Sequence, residues 1–232
     1  MSGAVLAVLL AATDGTPAAG PPRTLVYRYS YEEHAFGNSA SDSRQGMQEN
    51  TQSASTSRSG QVTVNVLGPA EDGGWVVAVS QTIDRQAQPL QTVQCSVYGH
   101  TTDIVCEGLR PTPEEIALLD FLGRFFWEPG RLDAKSHWHT SPLVHGQLTI
   151  DNDFTVTKTE GNVVTLGVNR RESGGGYLAT YAGTARYDTA AGIPERIDLS
   201  VATQGSDSQG DAHIQLKLVS DSMAQSSGTN SH

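Results

Sequence analysis

The chain has 232 residues, with 15 Lys and Arg against 25 Asp and Glu, so its formal net charge is −10 at pH 7. This acidic balance, without any run of basic residues, argues against nucleic acid and anionic membrane surfaces as partners. The length allows one large β domain or two small ones, and the abundance of Ser, Thr, Gly and Gln favours an exported bacterial β protein.

Residues 1–22 form a segment of their own. An apolar run over residues 3–12 is followed by small residues and by Pro, Ala and Gly, which predicts a secretory signal peptide cleaved after Ala12 or Ala19. The run is too short to span a bilayer. No Lys or Arg precedes it, so a non-cleaved apolar tail is the alternative, and no Cys lies nearby to carry a lipid anchor.

The first half of the remaining chain alternates as β-strands do. Residues 24–31 place Leu25, Tyr27, Tyr29 and Tyr31 on one face. This pattern indicates a half-buried sheet face, with a sugar- or lipid-contacting stripe as the alternative. Three further strands are predicted, a polar one near residues 48–57 and apolar ones at 61–67 and 75–82.

The two cysteines predict a disulfide between neighbouring strands. Residues 92–98 and 103–107 flank a four-residue turn, and folding them as a hairpin sets Cys95 opposite Cys106. A facing pair in a chain with an export signal indicates an oxidising compartment. A redox-active pair or a metal site is the alternative, although the spacing lacks the Cys-x-x-Cys pattern.

The central feature is a helix predicted over residues 112–128. Thr112 is its N-cap and Glu115 completes a capping box. A narrow polar stripe is predicted at Ala117, Asp120, Arg124 and Glu128. Apolar side chains cover the rest, an arc too wide for one flat contact, so a curved sheet or a ligand must cover it. The candidate ligand-binding residues on this arc are Leu119, Leu122, Phe125, Phe126 and Trp127.

Histidines follow the helix. His137 and His139 would point the same way in an extended segment, and His145 is close enough in sequence to complete a zinc site. No His-Glu-x-x-His pattern or other carboxylate base accompanies them. We therefore expect a solvated loop over residues 131–140 with Trp138 as its packing anchor, no bound metal, and dispensable histidines.

A strand meander is predicted for the last third of the chain. Its strands cover residues 153–158, 162–170, 177–187, 196–203 and 212–220. The Gly-rich turn at residues 172–176 is not a phosphate loop, because no helix follows it. Residues 222–232 are predicted to be disordered. The helix lies between two strand groups that would each lack a cover alone, so residues 23–221 are predicted to form a single domain.

Catalytic patterns are sparse. The chain has no Gly-x-Ser-x-Gly, no Ser-x-x-Lys, and no Walker or Rossmann glycine pattern. No pair of carboxylates stands out for acid–base chemistry. No cofactor is expected, and an enzyme is the least favoured reading, kept open because a missing motif does not exclude one.

The predicted fold is mainly β (α+β): a curved antiparallel sheet or half-barrel meander wrapped around one central apolar helix. With the strand–turn–strand segment at residues 185–194, this architecture resembles the half-barrel folds of periplasmic lipoprotein carriers and related lipid-binding envelope proteins. The predicted disulfide hairpin and the missing N-terminal helix depart from the carriers. The resemblance implies an apolar ligand held between sheet and helix.

Three readings of function follow. The first is an exported protein, periplasmic, envelope-associated or secreted, that binds an apolar or amphipathic, lipid-like ligand. The second is a structural or protein-interaction module of the cell envelope whose helix merely fills the sheet, and the third is an enzyme. A packed interior without room for a ligand would favour the second over the first. No oligomeric state follows from the sequence.

Overall fold

A computed structural model describes residues 23–38, 51–70, 74–86, 92–97, 104–108, 110–122, 136–145, 148–205 and 208–223. The predicted signal segment, residues 1–22, lies outside these ranges, as do residues 224–232 of the predicted tail. Within them no helix is both long and apolar enough to cross a membrane.

The described residues form eleven strands and one helix. In chain order they are β1 (Arg23–Asn38), β2 (Thr51–Pro69), β3 (Trp75–Ile83), β4 (Val93–Val97), β5 (Ile104–Glu107), α1 (Pro113–Leu119), β6 (His137–His145), β7 (Leu148–Glu160), β8 (Val163–Gly174), β9 (Tyr177–Asp188), β10 (Ile193–Gln204) and β11 (Ser208–Asp221).

All strands belong to one antiparallel sheet in the order β5-β4-β3-β2-β1-β11-β10-β9-β8-β7-β6. Two meanders, β1–β5 and β6–β11, are joined through the pairing of β1 with β11. The two edges of this sheet are β5 and β6, the strands that flank α1 in the sequence. The chain therefore passes from one edge of the sheet to the other through the segment that contains α1. The prediction of a mainly β, antiparallel fold is confirmed.

The cysteine hairpin has the predicted register. In the pairing of β4 with β5, Cys95 lies opposite Cys106 and Val97 lies opposite Ile104. The two cysteines form a disulfide. Both predictions are confirmed. A slip of one residue would turn the apolar side chains of one strand to the opposite face, so alternation excludes it.

The start of α1 is also confirmed. The Thr112 side chain accepts a hydrogen bond from the Glu115 N–H, and the Glu115 carboxylate accepts one from the Thr112 N–H. Pro113 is the first helical residue. The capping box thus satisfies two N–H groups that the first turn would otherwise leave unpaired.

The end of α1 differs from the prediction. The helix stops at Leu119, and the N–H groups of Phe121 and Leu122 donate to carbonyl groups three residues back, the tighter geometry of a helix end. A continuous helix is therefore wrong at residues 120–122. Residues 123–128 lie outside the described ranges.

Two further segments differ from the sequence prediction. Residues 51–69 form one continuous strand, β2, in which the predicted polar strand and the apolar one that follows are joined through Gly60. Residues 137–140, predicted as part of a solvated loop, belong to strand β6. This segment forms a strand despite its polar composition, because its backbone pairs with that of β7. The packing role of Trp138 is confirmed, because its side chain is buried.

The core lies between α1 and one face of the sheet. We call this the apolar face. It carries among others the buried side chains of Leu25, Tyr27, Tyr29, Tyr31, Val64, Val79, Leu166, Ile197, Leu199 and Leu216. The opposite, polar face carries the alternating residues of the same strands. The tyrosines of β1 are thus buried core residues, as the prediction of a sheet face that packs inward expects.

Candidate functional site

The candidate site is the contact between α1 and the apolar face of the sheet. Helix α1 packs against β10 and β11 near the middle of the sheet. Its side chains Leu118 and Leu119 and the following Leu122 are completely buried. The apolar surface of α1 is therefore already covered by the sheet in this state.

A charged contact holds the first turn of α1. Arg58 of β2 donates to both carboxylate oxygens of Glu114, at 2.6 and 2.9 Å, and the Glu114 side chain is fully buried. The Arg58 guanidinium also lies 4.2 Å from the centre of the Tyr31 ring. The hydrogen bond with Glu114 raises the pKa of Arg58, and burial of the guanidinium partly opposes this rise.

Gln81 of β3 extends this contact. It is fully buried, accepts a hydrogen bond of 2.8 Å from the Thr112 hydroxyl, and lies 3.5 Å from Glu114. Burial raises the pKa of the neighbouring Glu115, and hydrogen bonds from Thr112 partly oppose this rise. The first turn of α1 is thus attached to β2 and β3 by polar groups that have partners.

A second charged contact follows the last turn. Asp120 accepts a hydrogen bond of 2.5 Å from Arg170 of β8, which also pairs with Glu172 and lies 5.3 Å from the centre of the Tyr181 ring. Burial acts to lower the pKa of Arg170, but the charges of Asp120 and Glu172 outweigh it and the pKa is raised. Asp120, on the predicted polar stripe, is therefore only partly exposed, with 20% of its side chain accessible to solvent.

Aromatic side chains continue the contact beyond the helix. The Phe121 ring packs edge-on against Phe154 of β7 at 6.5 Å, and Phe154 stacks on Trp138 of β6 at 5.4 Å. These three rings were not among the predicted site residues. Trp138 and Phe154 are directly opposite each other in the strand register, a long-range pairing that the sequence alone does not specify.

Only two of the five predicted ligand-binding residues lie in the part of the chain that the structure describes. Leu119 and Leu122 lie in the contact between helix and sheet, both with no exposed surface. Phe125, Phe126 and Trp127 lie outside the described residues. Arg58 and Arg170 were missed, although each falls in phase with apolar residues of its strand, as in the series Val164, Leu166, Val168, Arg170. A cation at an apolar position is the signal that would have found them.

The histidines lie on the polar face near the edge of the sheet. The His139 Nδ1 atom is 2.9 Å from an Asp153 oxygen, and the His137 Nε2 atom is 3.7 Å from the same oxygen. Asp151 lies 3.9 Å from the other His139 nitrogen. His145 lies six residues along β6 from His139, about 20 Å at the rise of a strand. No group of three or more His, Cys, Asp and Glu in the described ranges is arranged to hold a metal ion.

Comparison with known proteins gives no relative for this chain. No family model matches it, and no curated protein and no solved structure is significantly similar to it.

Proposed function

We propose that the protein is an exported ligand-binding module whose apolar or amphipathic, lipid-like ligand binds between the β-sheet and α1. The observation that carries this proposal is the way α1 is attached. Charged contacts hold its two ends, through Arg58 and Arg170, while the side chains from Ile116 to Leu119 between them are aliphatic. If α1 moves away from the sheet, the surface that it leaves is apolar, and a lipid-like ligand gains free energy by covering it.

A curved sheet wrapped around the helix is part of this proposal. The contacts of β3 and β7 with α1 lie seven strand spacings apart in the sheet, which is about 34 Å if the sheet is flat. The Thr112 hydroxyl contacts Gln81 of β3, and the Phe121 ring contacts Phe154 of β7. Phe121 is nine positions after Thr112, which corresponds to about 14 Å at the rise of an α-helix. These distances support a sheet that curves around α1.

A second contact across the sheet supports the same curvature. A Cβ atom at Gly192, in the turn between β9 and β10, would lie 3.5 Å from the Trp75 ring of β3. Arg23 donates to the Ala191 carbonyl oxygen at 2.8 Å and lies 5.5 Å from the centre of the same ring. Four strand spacings separate β3 from β10, about 19 Å in a flat sheet.

Glycines within two strands also support it. A Cβ atom at Gly60 would lie 1.8 Å from the Thr82 carbonyl oxygen, and one at Gly183 would lie 2.0 Å from the Asp198 carbonyl oxygen. No other residue fits at either position without a shift of the backbone. Glycines at such close approaches are where strands of a curved sheet bend.

Export to an oxidising compartment completes the proposal. The disulfide between Cys95 and Cys106 is the kind of bond that persists in the periplasm or outside the cell. The apolar segment at residues 3–12 is the expected export signal. The mass of the intact protein recovered from its exporting host tests this step, and a protein that retains residues 1–22 with two free thiols contradicts it.

Ligand binding is tested by native mass spectrometry and by tryptophan emission. We expect an apolar adduct on the purified protein, and a saturable emission change when a long-chain fatty acid is added. The change should persist in Trp75→Phe and be smaller in Trp138→Phe, because Trp138 stacks on Phe154 beside α1. The predicted ligand-binding residue Trp127 would account for the part that remains. An unliganded protein whose emission does not saturate contradicts the proposal.

One observation favours a different function, a structural or interaction module without ligand. Leu118, Leu119 and Leu122 have no exposed surface, as expected if α1 fills the sheet permanently. In that case neither adduct nor saturable binding appears, and α1 is as resistant to hydrogen exchange as β1 and β11. An α1 that exchanges much faster than these strands favours the ligand-binding function.

A further inference from the structure

A row of cations crosses the polar face of the sheet, on the side opposite α1. Arg28 of β1, Lys217 of β11, Arg196 of β10 and Arg186 of β9 lie directly opposite one another in the strand registers. Neighbouring strands are about 4.8 Å apart, so the row extends over about 14 Å. Like charges directly opposite one another weaken a sheet, and a chain of net charge −10 has few cations to place there.

Acidic neighbours compensate the arginines of this row. The ion pairs are Arg28–Asp84 at 2.5 Å, Arg196–Asp198 at 3.3 Å and Arg186–Glu195 at 2.5 Å. Lys217, between Arg28 and Arg196, forms no ion pair with any residue in the described part of the chain. Its ammonium group is therefore flanked by two cations and lacks an acidic partner of its own there.

A depression surrounds Lys217. It encloses about 250 Å³, and its polar lining consists of Arg28, Ser30, Ser59, Arg196, Gln215 and Lys217. Arg28 and Arg196 each direct one nitrogen, Nη2, at an aspartate. A guanidinium group carries five N–H donors, so both arginines keep donors for a ligand placed between them.

We propose that this depression binds a phosphate-type oxyanion between Arg28, Lys217 and Arg196. The acceptor oxygens of such an ion match the forked donors of arginine and the point charge of lysine. The bound anion supplies the negative charge that Lys217 lacks and relieves the repulsion within the row. The site is separate from the apolar face, so it does not depend on the proposed lipid-like ligand. The same chemistry is offered by free phosphate and by the phosphate group of an anionic lipid.

The test is an NMR titration of the full chain with inorganic phosphate, in which chloride is exchanged to keep the ionic strength constant. We expect saturable shifts at the amides of Ser30, Gln215 and Lys217. Lys217→Gln should weaken binding by about tenfold or more, the usual effect of losing a hydrogen bond between charged groups. The matched control is Arg171→Gln, which removes one exposed cation from the polar face of β8 and should leave the affinity unchanged.

Two outcomes of the titration would contradict the proposed anion site. Shifts that grow linearly with phosphate, or an equal loss of affinity in Lys217→Gln and Arg171→Gln, mean that phosphate only screens the net charge. Both positions are exposed, so the two variants should fold, and their urea unfolding curves verify this.

Vesicles distinguish the two sources of the phosphate group. Sedimentation with phosphatidylglycerol vesicles but not with phosphatidylcholine vesicles, lost in Lys217→Gln and kept in Arg171→Gln, identifies a lipid headgroup as the ligand. Saturable phosphate binding without sedimentation identifies a free anion. If neither phosphate nor vesicles bind in a way that depends on Lys217, the proposal is wrong. Native mass spectrometry of the apolar ligand is independent of these results, so the two proposals fail separately.

Discussion

At the scale of single residues, the most distinctive feature is a pair of partly buried arginines on the apolar face. Arg58 and Arg170 occupy positions where alternation places apolar side chains, and each is matched by an acidic residue of the α1 segment, Glu114 or Asp120. A buried ion pair contributes little net stability, because desolvation offsets the attraction, but the loss of one partner is costly. These ion pairs therefore determine the position of α1 on the sheet more than they contribute to the stability of the helix–sheet contact.

Leu122 tests the packing at this scale. We expect Leu122→Ala to lower the free energy of unfolding by about 2–5 kcal/mol, because the side chain is fully buried and its removal leaves a cavity. Urea unfolding measures the change. The matched control is Leu67→Ala, at a position that is 52% exposed, where the change should stay within about 0.5 kcal/mol. If the stability of Leu122→Ala is that of the wild type but fatty-acid binding is lost, Leu122 lines an open groove instead.

Asp120 tests the charged contact at the end of α1. The sequence predicts a cost below about 1 kcal/mol for Asp120→Ala, as for a surface ion pair. The structure changes this expectation to about 1–3 kcal/mol, because Arg170 would lose a partner at a largely buried position. Urea unfolding of Asp120→Ala, Arg170→Met and the double variant gives the coupling energy. Strictly additive costs would mean that the two side chains do not interact in solution.

Helices and strands were predicted correctly from the sequence where residues close in sequence determine them. The register of the Cys95–Cys106 hairpin and the capping box at Thr112 follow from alternation and from spacing, and both are present. The end of α1 and the strand β6 did not follow, because each depends on partners distant in sequence, Arg170 for Asp120 and Phe154 for Trp138. Local propensity carries no information about such partners.

The disulfide that links β4 and β5 leads to a prediction of how reduction changes the free energy of unfolding. The disulfide closes a loop with a sequence separation of 11, and loss of that constraint should cost about 2–3 kcal/mol. Urea unfolding with and without reductant measures this, and the double variant Cys95→Ser, Cys106→Ser should match the reduced protein. Alkylation of the purified, unreduced protein should label neither cysteine until reductant is added. Immediate labelling of both would contradict the bond.

The edge strand β6 leads to a prediction about the histidines. His137 and His139 face Asp153 on the polar face, but their side chains are 60% and 47% exposed. Exposed pairs of this kind contribute about 0–1 kcal/mol. We therefore expect the double alanine variant to unfold within about 1 kcal/mol of the wild type, and elemental analysis to find no stoichiometric zinc. Zinc that is present in the wild type and absent from the variant would identify a metal site.

At the scale of the whole molecule, the topology links the two ends of the described chain. Most hairpin connections within each meander are local and were predicted as strands and turns, with the β6–β7 hairpin as an exception. The pairing of β1 with β11, in contrast, joins residues nearly 200 positions apart. No turn rule or alternation pattern specifies that neighbour. Arg23 strengthens the junction by donating to both carboxylate oxygens of Asp221, at 3.1 and 2.6 Å.

This junction predicts how the fold responds to acid. Burial acts to raise the pKa of Asp221, but hydrogen bonds from Arg23 and from the Met223 N–H outweigh it, and the pKa is lowered. A carboxyl group whose pKa is lower in the folded state contributes stability above its unfolded pKa and loses it as the pH falls through the folded pKa. The free energy of unfolding should therefore fall below about pH 4.

Asp221→Asn isolates the contribution of this carboxyl group. We expect the variant to be less stable than the wild type at neutral pH, and to lose less of its stability between about pH 4 and pH 2, because the amide does not titrate. Some of the fall should remain, since the pKa of Asp198 is also lowered: burial opposes this shift, and hydrogen bonds from His213, Gln215 and Arg196 outweigh the burial. The matched control is Asp211→Asn, an exposed position on the same strand, which should reproduce the wild-type profile in urea unfolding across this pH range. A profile of Asp221→Asn that runs parallel to the wild type would mean that the junction between β1 and β11 does not depend on the charge of Asp221.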